Sequence, residues 1–478
     1  MKPPVPNLTA GSIPRTLFVF ALPIMLGNVL QSVNGSVNSI WVGNFLGEAA
    51  LSATSNANAV IFLLLGAVFG VTMAATILIA QSVGARRPEE AKRIVGTSVS
   101  FFAVLSIAMS AAGIVLSESI LRGMQTPAAS LPLALIYLRV MFAALPLSYA
   151  YFFVMAALRG AGDSKTPFYF LVISVILDIV LNPLLIFGIG PFPRMGIAGS
   201  ATATLLAQAI SLAALMQHIY AKRNPLVLHQ DELHLLRIDW NIVRTLVVKG
   251  MPMGAQMIVL STSMVLMFKL VNRYGAETTA AFAASMQLWN YIQMPAMALG
   301  AAVSSMAAQN IGAGLWSRVY VVARTSVLFN FLLTGLPVIL LYIFASQALG
   351  LFLPRGSAAL PIALHLNRIA LWSFPLFGVS MVLSGVVRAA GAVIAPLLIL
   401  GTAMLLVRLP GAYWAASHWS EDGVWWSFPA AAVTAMTLTG LYYKFGNWRS
   451  AKMQLRSYAA ATIESDTAAN TADTETTA

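Results

Sequence analysis

Residues 173–190 read ISVILDIVLNPLLIFGIG. Asp178 is the one charge in these eighteen residues, Asn182 follows four positions on, and Pro183 comes directly after. The stretch has the apolarity of a membrane span, which takes about 20 mostly apolar residues. Asp178 lies eleven residues after Pro167, where the apolar run begins. At about 1.5 Å per residue it sits about 16 Å deep, near the bilayer midplane. A carboxylate at that depth is costly and marks a cavity, a partner or an ion path. Asn182 is one helical turn on and shares its face. Pro183 lacks an N–H, so the carbonyl of Ile179 loses its usual donor. One turn therefore gathers carboxylate, amide and carbonyl oxygens, which suit a hard cation. A proton is the other candidate occupant. The plainer alternative is an aspartate tied to a neighbouring helix by hydrogen bonds. No other Asp or Glu lies deep in an apolar run, and this favours the ion or proton site.

The rest of the chain fits the same environment. Of 478 residues, 59% are hydrophobic and 9% charged, against about 25% charged in a soluble protein. Twelve apolar stretches are long enough to span, near 15–42, 50–80, 94–117, 131–158, 167–189, 197–220, 244–271, 279–308, 320–347, 360–387, 391–415 and 424–445. No cysteine is present, which excludes disulfides and thiolate chemistry. The net charge of +12 is spread over short loops and forms no stripe, so nucleic acid is not expected as a partner. Five histidines at positions 218, 229, 234, 365 and 418 form no HExxH motif and pair with no nucleophile, so no enzyme is expected.

With both termini inside, inner segments hold twenty basic residues, among them Arg86, Arg87, Lys92, Arg93, Lys222 and Arg223. The outer loops hold four: Arg122, Arg194, Arg273 and Arg355. This positive-inside bias predicts a multi-pass plasma-membrane protein with cytoplasmic termini. The chain also repeats itself. RTL at 15–17 recurs at 244–246, an offset of 229. At that offset Pro23, Pro132, Pro146 and Pro167 meet Pro252, Pro361, Pro375 and Pro396, and Arg139 and Arg159 meet Arg368 and Arg388. AQSVGA (80–85) answers AQNIGA (308–313) after a one-residue slip. Six spans per half give two lobes of like orientation, related by a pseudo-two-fold axis along the membrane normal. The predicted domains are a lobe over 1–220, a cytoplasmic linker over 221–241, a second lobe over 242–446 and a disordered tail over 447–478. The fold class is an all-α integral membrane protein, and a monomer in contact with membrane lipids is expected.

NSIWVGNFLG (38–47), IAQSVGARRPEEAKR (79–93), ALRGAGDSKTP (157–167), LDIVLNPLLIFGIG (177–190) and MGIAGSATAT (195–204) together resemble the multidrug and toxic compound extrusion (MATE) family. The resemblance runs from about residue 13 to 446. It implies twelve helices in two lobes and export of cationic or amphipathic small organic compounds, coupled to H⁺ or Na⁺ influx. It also implies a first-lobe ion site with an acid on the first helix, an Asn/Asp pair on the fifth and a hydroxyl on the sixth. Here those positions correspond to Asn38, to Asp178 and Asn182 in swapped order, and to Thr202 or Thr204. One carboxylate stands where two are common, and this favours a monovalent ion. The second-lobe acids of the NorM-like branch are missing from MGAQMIVLSTS (253–263) and PLFGVSMVLSG (375–385), so the DinF-like branch is the better analogy.

Amides at helical spacing supply candidate cavity walls: Gln31 and Asn34 on the first span, Asn56 on the second, and Gln256, Gln287 and Asn290 on the seventh and eighth. Such amides also glue helices together in lipid. Arg139 and Arg368, near the outer ends of equivalent spans, are candidates for a gate or for a structural role in which they snorkel to headgroups. A flippase for a lipid-linked precursor is the rival function. It would want a cationic cavity, and the deep spans hold few basic residues beyond Lys269 and Arg408.

Overall fold

The computed structural model describes residues 8–354 and 356–453. Lys2, Arg355, Arg456 and the tail over 454–478 lie outside the described residues. The described residues are mostly helical, and no strand occurs among them. The first lobe comprises α1 (Ile13–Leu46), α2 (Glu48–Gly84), α3 (Pro88–Gly123), α4 (Leu131–Gly160), α5 (Lys165–Phe187) and α6 (Ile197–Ala221). The second begins with α7 (Trp240–Val271), α8 (Ala276–Gly312) and α9 (Trp316–Ile343), followed by the short α10 (Ala345–Leu349). Its tenth span is α11 (Ala359–Ala370) joined through Leu371–Ser373 to α12 (Phe374–Ala389). The eleventh runs from α13 (Ile394–Gly401) through a π-helical segment, Thr402–Arg408, into α14 (Leu409–Phe445). Non-helical Trp419 and Ser420 break α14, and the twelfth span follows them.

Nine of these helices are long and apolar enough to cross a membrane, counting Ile394–Phe445 as one. α8 is not among them, although it has 37 residues, and both α8 and α2 carry a run of polar side chains. They are the second helix of their respective lobes. Their polar residues, among them Ser52, Asn56 and Asn58 on one and Gln287, Asn290 and Gln293 on the other, are affordable only where lipid does not reach.

The lobes meet at the ends of α2 and α8. A Cβ placed on Gly84 would lie 1.9 Å from the Gln309 carbonyl oxygen, and one on Gly312 would lie 2.0 Å from that of Gln81. Only glycine permits this mutual approach. Gln81 Nε2 donates across to the Ala389 carbonyl at 2.7 Å, and Gln309 Nε2 donates back to the Gly160 carbonyl at 2.9 Å. The AQSVGA and AQNIGA repeats thus form one reciprocal latch. Farther along, Gly70 lies against the backbone of Gly250 and Gly254. The N-terminal segment ties into the same end, with Asn310 Nδ2 donating to the Leu8 carbonyl and Arg318 to that of Gly11.

The inter-lobe linker is anchored to the first lobe. Its 3₁₀ turn, Gln230–Leu236, docks on α3 through the ion pair of Lys92 with Glu232, and Arg93 pairs with Asp239, the N-cap of α7. Ser100 Oγ donates to the Leu236 carbonyl at 2.6 Å. The disorder expected from residue 447 does not describe its first residues. Trp448 is fully buried, stacks on Tyr443 with ring centroids 5.2 Å apart, and donates to the Tyr443 carbonyl. Met453 is buried against Gly391, whose φ of 100° no bulkier residue adopts readily. One aromatic and one thioether hold this stretch where polarity alone suggested none would.

Candidate functional site

α1, α5 and α6 converge on Asp178. The carboxylate is 2% exposed and Asn182 is fully buried. α5 continues through Pro183, so the two side chains keep their one-turn spacing. Asp178 Oδ2 accepts from Asn34 Nδ2 at 2.7 Å and from Asn38 Nδ2 at 2.9 Å. Its Oδ1 accepts from Thr204 Oγ1 at 3.0 Å and from Asn182 Nδ2 at 3.4 Å. Asn182 Nδ2 also donates to Asn38 Oδ1 at 2.8 Å. Four donors from three helices therefore surround one acid.

Two amide oxygens of this cluster, Asn34 Oδ1 and Asn182 Oδ1, are buried and have no hydrogen-bond partner. A buried acceptor left unsatisfied costs about 1–3 kcal/mol. Together with the carboxylate and the Thr204 hydroxyl they form an all-oxygen set suited to a small hard cation. Amide rotation would turn oxygen rather than nitrogen toward such an ion. A proton would act differently, because a protonated Asp178 must itself donate and one of the four present donors must turn away.

The expected site residues fare unequally. Asp178, Asn182, Asn38 and Thr204 are brought together. Thr202 is not, since its hydroxyl donates to the Ala198 carbonyl on its own helix. Asn34, expected in the cargo cavity, stands beside the acid instead, as its spacing of one turn from Asn38 could have signalled. Gln256 is also drawn away from a cavity wall: it is buried and accepts from Arg388 Nη1 at 2.9 Å. Gln31, Gln287 and Asn290 are exposed, and Asn56 is half-buried with its amide on the Ser52 carbonyl. Arg139 is exposed and donates from Nε to Ser117 Oγ at 3.3 Å, and Arg368 is exposed on the equivalent span.

Two features were not anticipated. Tyr137, buried on α4, donates to Asn58 Oδ1 at 3.4 Å. Trp41, Phe45 and Phe187 form an aromatic cluster farther along α1 and α5, with centroids 5.2 to 6.3 Å apart. Such faces attract organic cations. In the sequence they look like any aromatic residues facing lipid.

A two-lobed, twelve-helix membrane protein with one buried carboxylate between its first, fifth and sixth helices has the architecture of a transporter. The chain belongs to the MATE family: the MatE family model matches residues 23–184 and again 252–414, one match in each lobe. It is 37% identical over 437 residues to the probable multidrug resistance protein YoeA of Bacillus subtilis, covering 91% of this chain and 94% of that protein. It is 25% identical to the FAD transporter of Shewanella oneidensis, covering 72% and 76% respectively. A MATE crystal structure in the straight conformation superposes with a TM-score of 0.85 at 20% identity, over 93% of this chain and 98% of the other. The protein is thus a multi-pass membrane transporter of a family whose members include a probable multidrug resistance protein and a FAD transporter.

Proposed function

We propose that this protein is an antiporter that exports cationic or amphipathic small organic compounds across the plasma membrane, coupled to inward movement of one H⁺ or Na⁺ at Asp178. The observation that carries the reading is the buried carboxylate encircled by Asn34, Asn38, Asn182 and Thr204 with two orphaned amide oxygens. An uncompensated charge so deep invites a counter-cation, and either the ion or a cationic cargo can supply it. The latch of Gln81 and Gln309 closes one end of the inter-lobe path. The positive-inside bias makes that end cytoplasmic, so the cavity walls of α2 and α8 face outward in this state. Opening the latch while closing the opposite end would present Asp178 to the cytoplasm, where it releases its ion and takes cargo. Each monomer holds a complete path between its own lobes.

Cargo need not be uniformly cationic. The FAD transporter relative carries, by its name, a cargo with phosphates, so the scaffold also serves anionic groups.

Everted vesicles loaded with the protein, given a proton gradient and a sodium gradient separately, test the reading. One gradient drives dye accumulation by the wild type, and Asp178→Asn abolishes it. Equal accumulation by both proteins, or none under either gradient, overturns the reading.

A further inference from the structure

The second lobe has no acid at the position equivalent to Asp178, but it has a cation there. Asp178 lies eleven residues after Pro167, and Arg408 lies twelve after the matching Pro396. The extra residue is accounted for by the π-helical segment Thr402–Arg408, since a π-turn absorbs one inserted residue within a helix. Once that insertion is allowed for, Arg408 is the pseudo-symmetric counterpart of Asp178, on the equivalent helix and at the equivalent depth.

The surroundings of Arg408 are unlike those of Asp178. Arg408 is 6% exposed, yet no carboxylate pairs with it among the described residues. Its guanidinium carbon lies 3.8 Å from the Phe428 ring centroid. Nη1 reaches Met404 Sδ at 3.6 Å and Nη2 reaches Met264 Sδ at 3.9 Å, both weak acceptors. Nε is buried without any partner. Behind Phe428 stand Trp289, at 4.9 Å between centroids, and Phe282, at 6.0 Å. A buried charge with only sulfur and ring faces for company is costly, and replacing it by an apolar side chain would be the stabilising choice. A fork of donors facing aromatic and thioether walls matches a planar carboxylate or similar oxyanion carried on an apolar body.

We infer that Arg408 is the recognition point for the anionic group of an amphipathic cargo, so that the two lobes read opposite charges at symmetry-related sites. The inference rests on the exporter reading for the word cargo, but the binding site stands without it. An aromatic carboxylate uses both elements once the lobe rearranges to admit it: its oxygens pair with the guanidinium, and its ring takes the place on Phe428 that the guanidinium now covers. A cargo bearing both signs could touch both lobes at once.

The test is equilibrium binding to the full chain in lipid nanodiscs, read by tryptophan quenching, with 1-naphthoate, neutral 1-naphthamide and cationic 1-naphthylmethylammonium. The wild type should bind naphthoate at least tenfold more tightly than the amide. Arg408→Met should abolish that preference while melting no lower than wild type, and naphthylmethylammonium binding should be unchanged. Arg408→Lys, which keeps the charge but loses the fork, should retain part of the preference, so a failure of the Met variant to fold would still leave a readout. Asp178→Asn should show the reverse pattern. Equal affinity for naphthoate and naphthamide in the wild type, or an undiminished preference in Arg408→Met or Arg408→Lys, would overturn the proposal. Because no gradient is involved, naphthoate binding without any driven export would sink the exporter reading and leave this site intact.

Discussion

The two lobes share a helix plan and a proline pattern but differ at their centres. In the first, Asp178 is buried among four donors from three helices. In the second, Arg408 is buried among two thioethers and a phenyl ring. A duplicated scaffold thus holds opposite charges in opposite solvents, one polar and the other greasy. Pseudo-symmetry conserves where a charged group can be put, and the local side chains decide what that group can exchange. The hydrogen-bonded acid is suited to small cations that need oxygen ligands. The arginine is suited to larger ligands that bring their own aromatic surface.

Several changes would break or sharpen this contrast. The largest effect is expected for Asp178→Asn, which removes the sole deep acid and should lower gradient-driven efflux about a hundredfold or more in vesicle assays. Next comes the latch. Gly84→Ala or Gly312→Ala drives a methyl into the facing backbone, so either should prevent the inner closure. Cysteine-accessibility labelling at the inner ends of α2 and α8 should then rise about tenfold. Asn34→Ala and Asn182→Ala each strip an amide from the acid, and efflux should fall about tenfold in each, as for other hydrogen bonds to a charged group. Thr204→Ala removes another donor to the same carboxylate and should also lower efflux about tenfold, whereas Thr202→Ala should leave efflux unchanged because its hydroxyl stays on its own helix.

The smallest effect concerns the linker. The backbone of His229 and the ammonium of Lys92 hold the Glu232 carboxyl below its ordinary range. A depressed acid contributes stability above its unfolded pKa and loses it as pH falls through the lower folded value. Docking of the Gln230–Leu236 turn on α3 should therefore loosen only in acid, below the ordinary glutamate range. Hydrogen exchange of that turn, followed from pH 7 downward, checks this, and Glu232→Gln should remove the pH dependence.

Much of this was legible from residue order. Apolar runs gave the spans, lysine and arginine placement gave the expected orientation, and the recurring prolines gave the two lobes. Asp178 and Asn182 were legible because one turn separates them and nothing else nearby is charged. Thr202 and Thr204 could not be told apart, since they lie two positions apart on one helix and only its rotation against α5 decides between them. Asn34 looked like a cavity amide, although its spacing of one turn from Asn38 already put it on the face that meets Asp178. Arg408 was visible as a basic residue in a span, but its match to Asp178 was hidden by one residue. The π-turn that absorbs that residue has no signature in the sequence. Trp448 and Met453, within an otherwise polar end, were lost to composition averaging.

The central claim is that cation occupancy at Asp178 sets which end of the inter-lobe path is closed. The chain has no cysteine, so Glu89→Cys and Ser317→Cys give one clean spin-label pair across the inner ends of the lobes. The distance distribution of that pair should be measured by pulsed electron resonance in nanodiscs, with sodium against potassium and at acid against alkaline pH. The account predicts that one of these exchanges shifts the population between a short and a long distance, and that Asp178→Asn stays fixed under both. A wild type whose distances ignore both ions, or an Asp178→Asn protein that shifts as the wild type does, would contradict it.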